Sequence, residues 1–337
     1  MSTLKGLAFA IAGMPVVRRM LPVRNAALTT LLYHGFFFAD EPRQRARERL
    51  RRQLDWLSRA YQPLTLDQCH QALAAGAFPP RALLVTADDA KIDLLEMHEE
   101  FVAFGVPLCV FVCAGWTAQA SDVDADGLLA RTVAALEWYS GPEAVVSIGE
   151  PSRKIAIGAS RRATTIDEML KAREDFLPHL RELLTRVEQL SPAPTRTTIC
   201  SWPELASLRE RGAQFGSHSV SHIRLAAASD VRLRFEIGEA KRLIERELGP
   251  CTSFAYPFGT EGTFDGRTTA AVRAAGMTTA FLTHPGFATA DADALHLPRF
   301  AFPERAMSDA EYRGRVGGAG VTLRAIKRGP QRASVAQ

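Results

Sequence analysis

Short apolar runs alternate with amphipathic stretches through most of this chain, and a polar locus follows each of the best-defined runs. The run at 82–85 leads into Thr86-Ala87-Asp88-Asp89-Ala90, and the run at 213–216 leads into His218-Ser219-Val220-Ser221-His222. A third, at 253–256, leads into Pro257-Phe258-Gly259, and a fourth, at 279–283, into His284. Strand–helix–strand alternation of this kind builds a parallel sheet. Where parallel strands close into a barrel, their C-terminal ends share one face, and reactive groups gather there. The pattern therefore predicts an α/β chain with one polar site assembled from distant segments.

The spacing predicts strands over 27–32, 82–86, 106–113, 213–216, 253–256, 279–283 and 297–302. Helices are predicted over 43–59, with Leu50, Leu54 and Leu57 on one face, and over 66–76, 93–105, 202–211, 230–248 and 268–275. Ser201 and Glu204 give the helix at 202 a capping box. Gly249-Pro250 ends the helix at 230–248. Between 117 and about 198 no recurrent strand signal is found. There a Gly/Pro/Ser-rich stretch, 140–160, precedes a charged helical segment, 164–190, in which Met169, Phe176, Leu180, Leu183, Leu184 and Val187 trace an apolar stripe. Residues 116–200 are expected to form a helical insertion between strands, either capping the site or unrelated to it.

Composition removes several classes of function. With 337 residues, 47% hydrophobic and 23% charged, the chain suits one large α/β domain with an insertion, or two smaller domains. A net charge of +4 without a basic–aromatic stripe argues against nucleic acid. Five scattered cysteines, an odd number, point to a reducing compartment and hence to the cytoplasm. Cys109 and Cys113, four apart on a strand, share a face and read as core thiols. The apolar stretch 7–17, flanked by Lys5 and Arg18-Arg19, falls short of the ~20 residues that span a bilayer. It also lacks a small-residue cleavage site. Together with the basic tail at 313–332, it suits peripheral contact with an anionic membrane surface, with frayed solvated ends as the alternative. The expected plan is an N-terminal basic/apolar segment (1–26), a barrel (27–305) and a basic tail (306–337). Oligomeric state has no signature in the sequence.

Two histidines four residues apart can aim both imidazoles at one point if the backbone between them makes a helical turn. With one carboxylate they make a metal site with an open position, and a spare carboxylate beside it can serve as base. That donor set reads as metal-assisted hydrolysis. Plainer roles compete with it. An Asp pair can cap a helix, and His34 can simply end a strand. His70, His98 and His179 read as solvated residues on charged helices. Trp116 and Trp202 read as packing residues before sugar-stacking ones.

Taken in order, the motifs resemble those of the NodB-type polysaccharide deacetylases, carbohydrate esterase family 4. Thr86-Ala87-Asp88-Asp89-Ala90 is similar to the family's Thr-Phe-Asp-Asp-Gly. His218-Ser219-Val220-Ser221-His222 matches its His-Ser/Thr-x-x-His. Phe254-Ala255-Tyr256-Pro257-Phe258-Gly259 is similar to Phe-Ala-Tyr-Pro-Tyr-Gly. Leu297-Pro298-Arg299 resembles the closing Leu-Pro-Arg, and Leu32-Tyr33-His34 the opening. The likeness covers about 28–302 without the insertion.

The resemblance implies a distorted (β/α) barrel and hydrolysis of an N-acetyl group from an amino sugar in a polysaccharide, glycan precursor or lipid-linked sugar. It implies that Asp89, His218 and His222 bind a divalent metal, usually zinc, and that Asp88 is the general base. The Phe258 N–H would help hold the oxyanion. A late histidine would act as general acid; His284 is the candidate, with His296 the other, although neither sits in the family's Leu-x-His motif. Tyr256, His34 and Arg299 are placed on the substrate side, Arg299 with a carboxylate partner as its alternative.

Three departures stand out. Ala87 replaces Phe. Ala90 replaces Gly, which strains the turn by about 1 kcal/mol if it needs positive φ. Ala255 stands where many members carry an arginine that orients the base, although the Phe-Ala-Tyr-Pro branch lacks it. A related amidase of linear or cyclic amides and a catalytically weakened carbohydrate-binding homologue are the alternative readings. The cap-like insertion and the lack of a clear export signal favour a precursor or lipid-linked sugar over a cell-wall polymer.

Overall fold

The structure, a computed structural model, describes residues 27–117, 124–191 and 199–319. Strand β1 (Ala27–Tyr33) leads to helix α1 (Arg43–Ala60), the short β2 (Gln62–Pro63) and α2 (Leu66–Ala74). Then come β3 (Ala82–Asp88), α3 (Leu94–Ala103) and β4 (Leu108–Val112). An excursion follows: α4 (Ala125–Glu137), a hairpin of β5 (Ala144–Ile148) and β6 (Arg153–Ile157), α5 (Arg162–Lys171) and α6 (Leu180–Leu190). The alternation resumes with α7 (Trp202–Glu210) and β7 (Gln214–Ser217). Helix α8 has three parts: Asp230–Arg234, a π-helical Phe235–Glu239 and Ala240–Leu248. Last are β8 (Ser253–Ala255), α9 (Gly266–Ala274), β9 (Thr279–Phe281), β10 (Phe287–Thr289), β11 (Phe300–Ala301) and α10 (Asp309–Val316).

β1 and β3 are buried along their whole length, as parallel strands covered on both faces are. The sheet runs β10-β1-β3-β4-β7-β8-β9, with β10 antiparallel to β1 and the remaining pairs parallel. β11 pairs with Leu31 and Leu32 of β1, and Leu297 bridges Phe281 at the end of β9. The segment 297–301 thus stitches the last parallel strand to the first and curls the sheet into a distorted barrel.

Side chains alternate across each strand with period two. Leu84, Cys109, Phe111, Ala255, Phe281 and Leu297 meet inside the barrel. Leu83, Val85, Val110 and Val112 pack outward, where Leu50, Leu54 and Leu57 of α1 belong to the same core. The inner rows continue to Asp88 on β3 and Cys113 just past β4. On β7 the inner position is Gly216, where a Cβ would lie 2.4 Å from the Phe111 ring. The aromatic fills the space that any side chain would need.

The insertion has its own apolar core, in which Leu129, Val133, Ile148, Ile157, Ile166, Met169, Leu183 and Val187 are buried. The expectation of a strandless insertion is overturned by the β5–β6 hairpin, paired antiparallel from Ala144–Ile157 to Ile148–Arg153. Val146, Ile148, Ile155 and Ile157 alternate with exposed or half-buried neighbours. That period-two signal was overshadowed by the Gly, Pro and Ser residues around it.

The tail also differs from expectation. Its first part is α10, whose Tyr312 hydroxyl lies 2.6 Å from that of Tyr33, deep against β1. The terminal segment 1–26 and residues 320–337 lie outside the described residues. Among the described residues no helix is long and apolar enough to cross a membrane.

Candidate active site at the barrel mouth

β3 ends on Asp88, whose side chain is buried. The next two residues, Asp89 (φ 71°) and Ala90 (φ 55°), turn left-handed, so consecutive carboxylates leave the strand in different directions. The histidine loop does the same at Ser219 (φ 68°) and His222 (φ 55°), and the third loop at Phe258 (φ 61°). Of the six left-handed non-glycine residues among those described, five lie in these three loops. Each costs roughly 1–3 kcal/mol unless its surroundings hold it.

The clamps are visible. Cys200 N–H donates to the Ala90 carbonyl at 2.9 Å, Ala114 N–H to Ser219 at 3.1 Å and Gly115 N–H to Val220 at 2.9 Å. A Cβ on Gly115 would fall 2.7 Å from the Ala130 carbonyl and 2.8 Å from that of Val220, so only glycine permits this approach. From α8 the fully buried Glu236 accepts the N–H groups of Val220 and Ser221, both at 2.9 Å, and the Ser221 hydroxyl at 2.5 Å. Arg232 donates to Glu236 at 2.8 Å and reaches Glu137 of the insertion at 3.4 Å. The π-helical stretch brings Glu236 beneath the loop; such irregularities gather at functional sites.

Three groups converge at the mouth. His218 Nε2 lies 3.8 Å and His222 Nε2 3.7 Å from Asp89 Oδ1. His218 Nδ1 is 2.7 Å from the Ala255 carbonyl; donating there leaves the Nε2 lone pair facing the aspartates. The backbone from 218 to 222 is not the helical turn expected; left-handed residues bring the two rings together instead. Burial lowers His218 to about 3 and His222 below its usual value, so both imidazoles are neutral ligands at physiological pH. Burial, with Asp88 beside it, raises Asp89 to about 6. A cation there would offset that crowding of negative charge. The donor set therefore fits a divalent metal.

Cys113 also borders this point. Asp89, Cys113 and His218 offer ligand atoms within 4.8 Å of one another. The Cys113 thiol, however, donates to the His218 carbonyl at 3.3 Å, and burial among the aspartates raises its pKa well above normal. A neutral imidazole coordinates without losing a proton, which ranks His222 above Cys113 as third donor.

Asp88 is held differently. Arg299, fully buried, donates to Oδ1 and Oδ2, each at 2.7 Å, and to Thr86 Oγ1 at 3.1 Å and the Leu282 carbonyl at 2.9 Å. Burial opposes ionisation of Asp88, but the guanidinium outweighs it and holds the carboxyl at about 2. Asp88 Oδ2 is 3.6 Å from His218 Nε2, next to the convergence point.

The polysaccharide deacetylase family profile matches residues 168–280, which include both histidines and the Phe258 turn but not Asp88 and Asp89. That matched third of the chain is similar to the polysaccharide deacetylases. No curated protein matches it in sequence. Its fold is that of solved deacetylases. The Streptococcus pyogenes deacetylase PplD in complex with acetate aligns with TM-score 0.56 at 15% identity, covering 86% of this chain and 99% of that one. The BpsB deacetylase domain from Bordetella bronchiseptica gives 0.51 at 17%, covering 83% and 97%. IcaB from Ammonifex degensii gives 0.52 at 16%, covering 87% and 97%. The family's enzymes are hydrolases of carbon–nitrogen bonds other than peptide bonds, and deacetylation of a polysaccharide is the chemistry associated with this barrel.

Within the deacetylase barrel, two residues placed on the substrate side need correction. Arg299 is sealed from solvent, with its donors spent on Asp88, Thr86 and Leu282. It supplies from the closing segment the guanidinium that Ala255 cannot. Tyr256 is also buried, its ring stacked on Phe264 at 4.6 Å, so it packs and does not touch a ligand. His34 remains half-buried. His284 is exposed just past β9. His296 is unsuited to proton transfer, because Asp293 (2.7 Å) and Thr269 (3.1 Å) engage its two ring nitrogens.

The helical histidines also depart from expectation. His98 is buried, and His70 lies within 2.9 Å of Ser253 and Thr279. Trp202 is buried in the core, as expected. Glu236, Arg232 and Trp138 went unread. The only sequence signal for the first two is an i,i+4 charge pair, which on a helix ordinarily means a solvated face.

Proposed function

We propose that this chain removes the N-acetyl group from an amino sugar within a glycan, using a divalent metal held by Asp89, His218 and His222. The observation that carries the reading is the convergence of both Nε2 atoms on Asp89 Oδ1, at 3.8 and 3.7 Å, beside an Asp88 that Arg299 keeps ionised. Bound there, such an ion, zinc being the usual one for these donors, supplies Lewis acidity toward a carbonyl oxygen and acidifies water. Asp88 accepts the proton of the attacking water. The Arg299 fork fixes both carboxylate oxygens, so the base cannot swing toward His218. The Phe258 N–H would serve as the oxyanion donor. His284, on the rim after β9, is the candidate to deliver a proton to the amine. A glycan precursor or lipid-linked sugar at the cytoplasmic membrane surface remains the preferred substrate setting, motivated by the basic ends and the five free thiols.

The weakened-homologue reading rested on Ala87 and on Ala90 displacing Asp89; Asp89 within reach of both imidazoles speaks against the second ground. The test is acetate release from N-acetylglucosamine oligomers by protein stripped with chelator and then reloaded with zinc. Release that returns with zinc is expected. His218→Ala should lose metal and turnover together. Asp88→Asn should keep metal and lose turnover by about 10²–10⁴-fold. Reloaded protein that releases no acetate would overturn the function, and an active Asp88→Asn the base.

A further inference from the structure

We propose that Trp138 of the insertion and Phe258 of the barrel form a sugar-stacking subsite beside the metal ligands, taking the pyranose ring next to the one deacetylated. The proposal rests on the function above and narrows its substrate to a sugar with at least one further ring.

A cavity of about 690 Å³ lies between the two lobes. Trp138, Ser160 and Arg162 line it from the insertion, and His222, Arg224 and Phe258 from the barrel. Five large apolar side chains are exposed among the described residues, and the only two aromatic ones, Trp138 (39%) and Phe258 (38%), both face this cavity. Exposed aromatic area in a concavity with polar groups around it is the make-up of a ligand site.

The rings are fixed before any ligand arrives. Trp138 Nε1 donates to the Ser221 carbonyl at 2.8 Å. Trp138 meets Trp116 edge-on at 5.9 Å, Trp116 stacks on His222 at 5.3 Å, and His222 meets Phe258 edge-on at 4.7 Å. The Arg224 guanidinium lies over the Phe258 ring at 5.5 Å. This unbroken row runs from the insertion to a metal-ligand candidate, so a ring seated on Trp138 is held in register with the mouth. Preorganised walls lose little entropy on binding. Ser160, Arg162 and Arg224 supply donors for ring hydroxyls. A flat apolar patch would suit a protein partner; this one is concave and lined by both aromatic and charged groups, which suits a sugar.

The experiment compares acetate release from the N-acetylglucosamine tetramer and monomer by zinc-loaded wild type, Trp138→Ala and Trp138→Phe. The kcat/KM ratio of tetramer to monomer should fall about tenfold in Trp138→Ala, chiefly through KM, with zinc content retained. Trp138→Phe, which keeps a ring but loses the bond to Ser221, should recover most of the ratio. An unchanged ratio in Trp138→Ala would overturn the subsite, as would loss of zinc together with equal losses on both substrates. A second measurement needs no turnover: tryptophan emission titrated with the fully deacetylated tetramer. A saturable change in wild type that disappears in Trp138→Ala supports the subsite, and no change in wild type overturns it. Wild type that binds the tetramer but releases no acetate sinks the catalytic function and leaves the subsite standing.

Discussion

The barrel mouth and the insertion handle backbone strain in opposite ways. At the mouth, aspartate, alanine, serine, histidine and phenylalanine all sit left-handed. Among the described residues of the insertion the left-handed positions are glycines, Gly149 and Gly158. The mouth places two carboxylates and two imidazoles within a few ångströms, and left-handed turns help deliver them from separate strands. The insertion has no such demand, and each of its elements adopts the conformation its residues favour. Among the described residues this strain is concentrated in the three mouth loops, with Arg81 the one left-handed non-glycine residue elsewhere, and bonds from outside those loops hold it in place. The two lobes meet along a seam at α8 and the histidine loop, where Glu137 faces Arg232, Asp126 faces Arg242 and Trp138 donates to Ser221.

The largest test of that contrast falls on the seam. Glu236→Ala removes the acceptor of two loop N–H groups and leaves Arg232 with a buried, largely unpaired charge. A loss of about 3–5 kcal/mol is expected in urea denaturation. A loss below about 1 kcal/mol would mean that the histidine loop stands without its clamp. Leu183→Ala, in the insertion core, should cost about 2–5 kcal/mol. Hydrogen exchange should quicken in residues 124–191 and not in β3 or β4; equal quickening in both would show one cooperative unit in place of two lobes.

One pH effect belongs to the barrel shell. Burial, then the nearby Arg211, lowers His98 from 6.5 to about 4. The unfolded chain therefore binds the proton first. Stability is full above about 6.5 and falls as pH drops toward 4, by roughly 2–3 kcal/mol. His98→Met should flatten that part of the stability–pH curve; an unchanged slope would assign it to another group. The smallest effect is at the mouth. Ala90→Gly relieves a left-handed alanine and should stabilise the protein by about 0.5–1 kcal/mol without lowering zinc content. Destabilisation would show that the turn carries no strain there.

The strands were legible because each is a short apolar run with a turn beyond it, and β3, β4, β7, β8 and β9 all fall where those runs predict. The aspartates and histidines were legible because they recur just past strand ends. What escaped was information held between segments. For Arg299 the sequence leaves a sugar contact and a carboxylate partner both open, and only the closing of the barrel decides for Asp88. Ser219 and His222 give no local hint of positive φ, since tertiary bonds and not propensity put them there. The hairpin at 144–157 was hidden by its glycines and prolines. Trp138 was overlooked because one tryptophan at the end of a helix carries no period.

Arg299 arrives on the segment that shuts the barrel, 211 residues after the carboxylate it neutralises. On the ribosome, at ~5–20 residues per second, Asp88 waits roughly ten to forty seconds for its counter-charge. A nascent chain, or one clipped before that arginine, carries Asp88, Asp89 and both histidines yet lacks the cation that keeps Asp88 ionised.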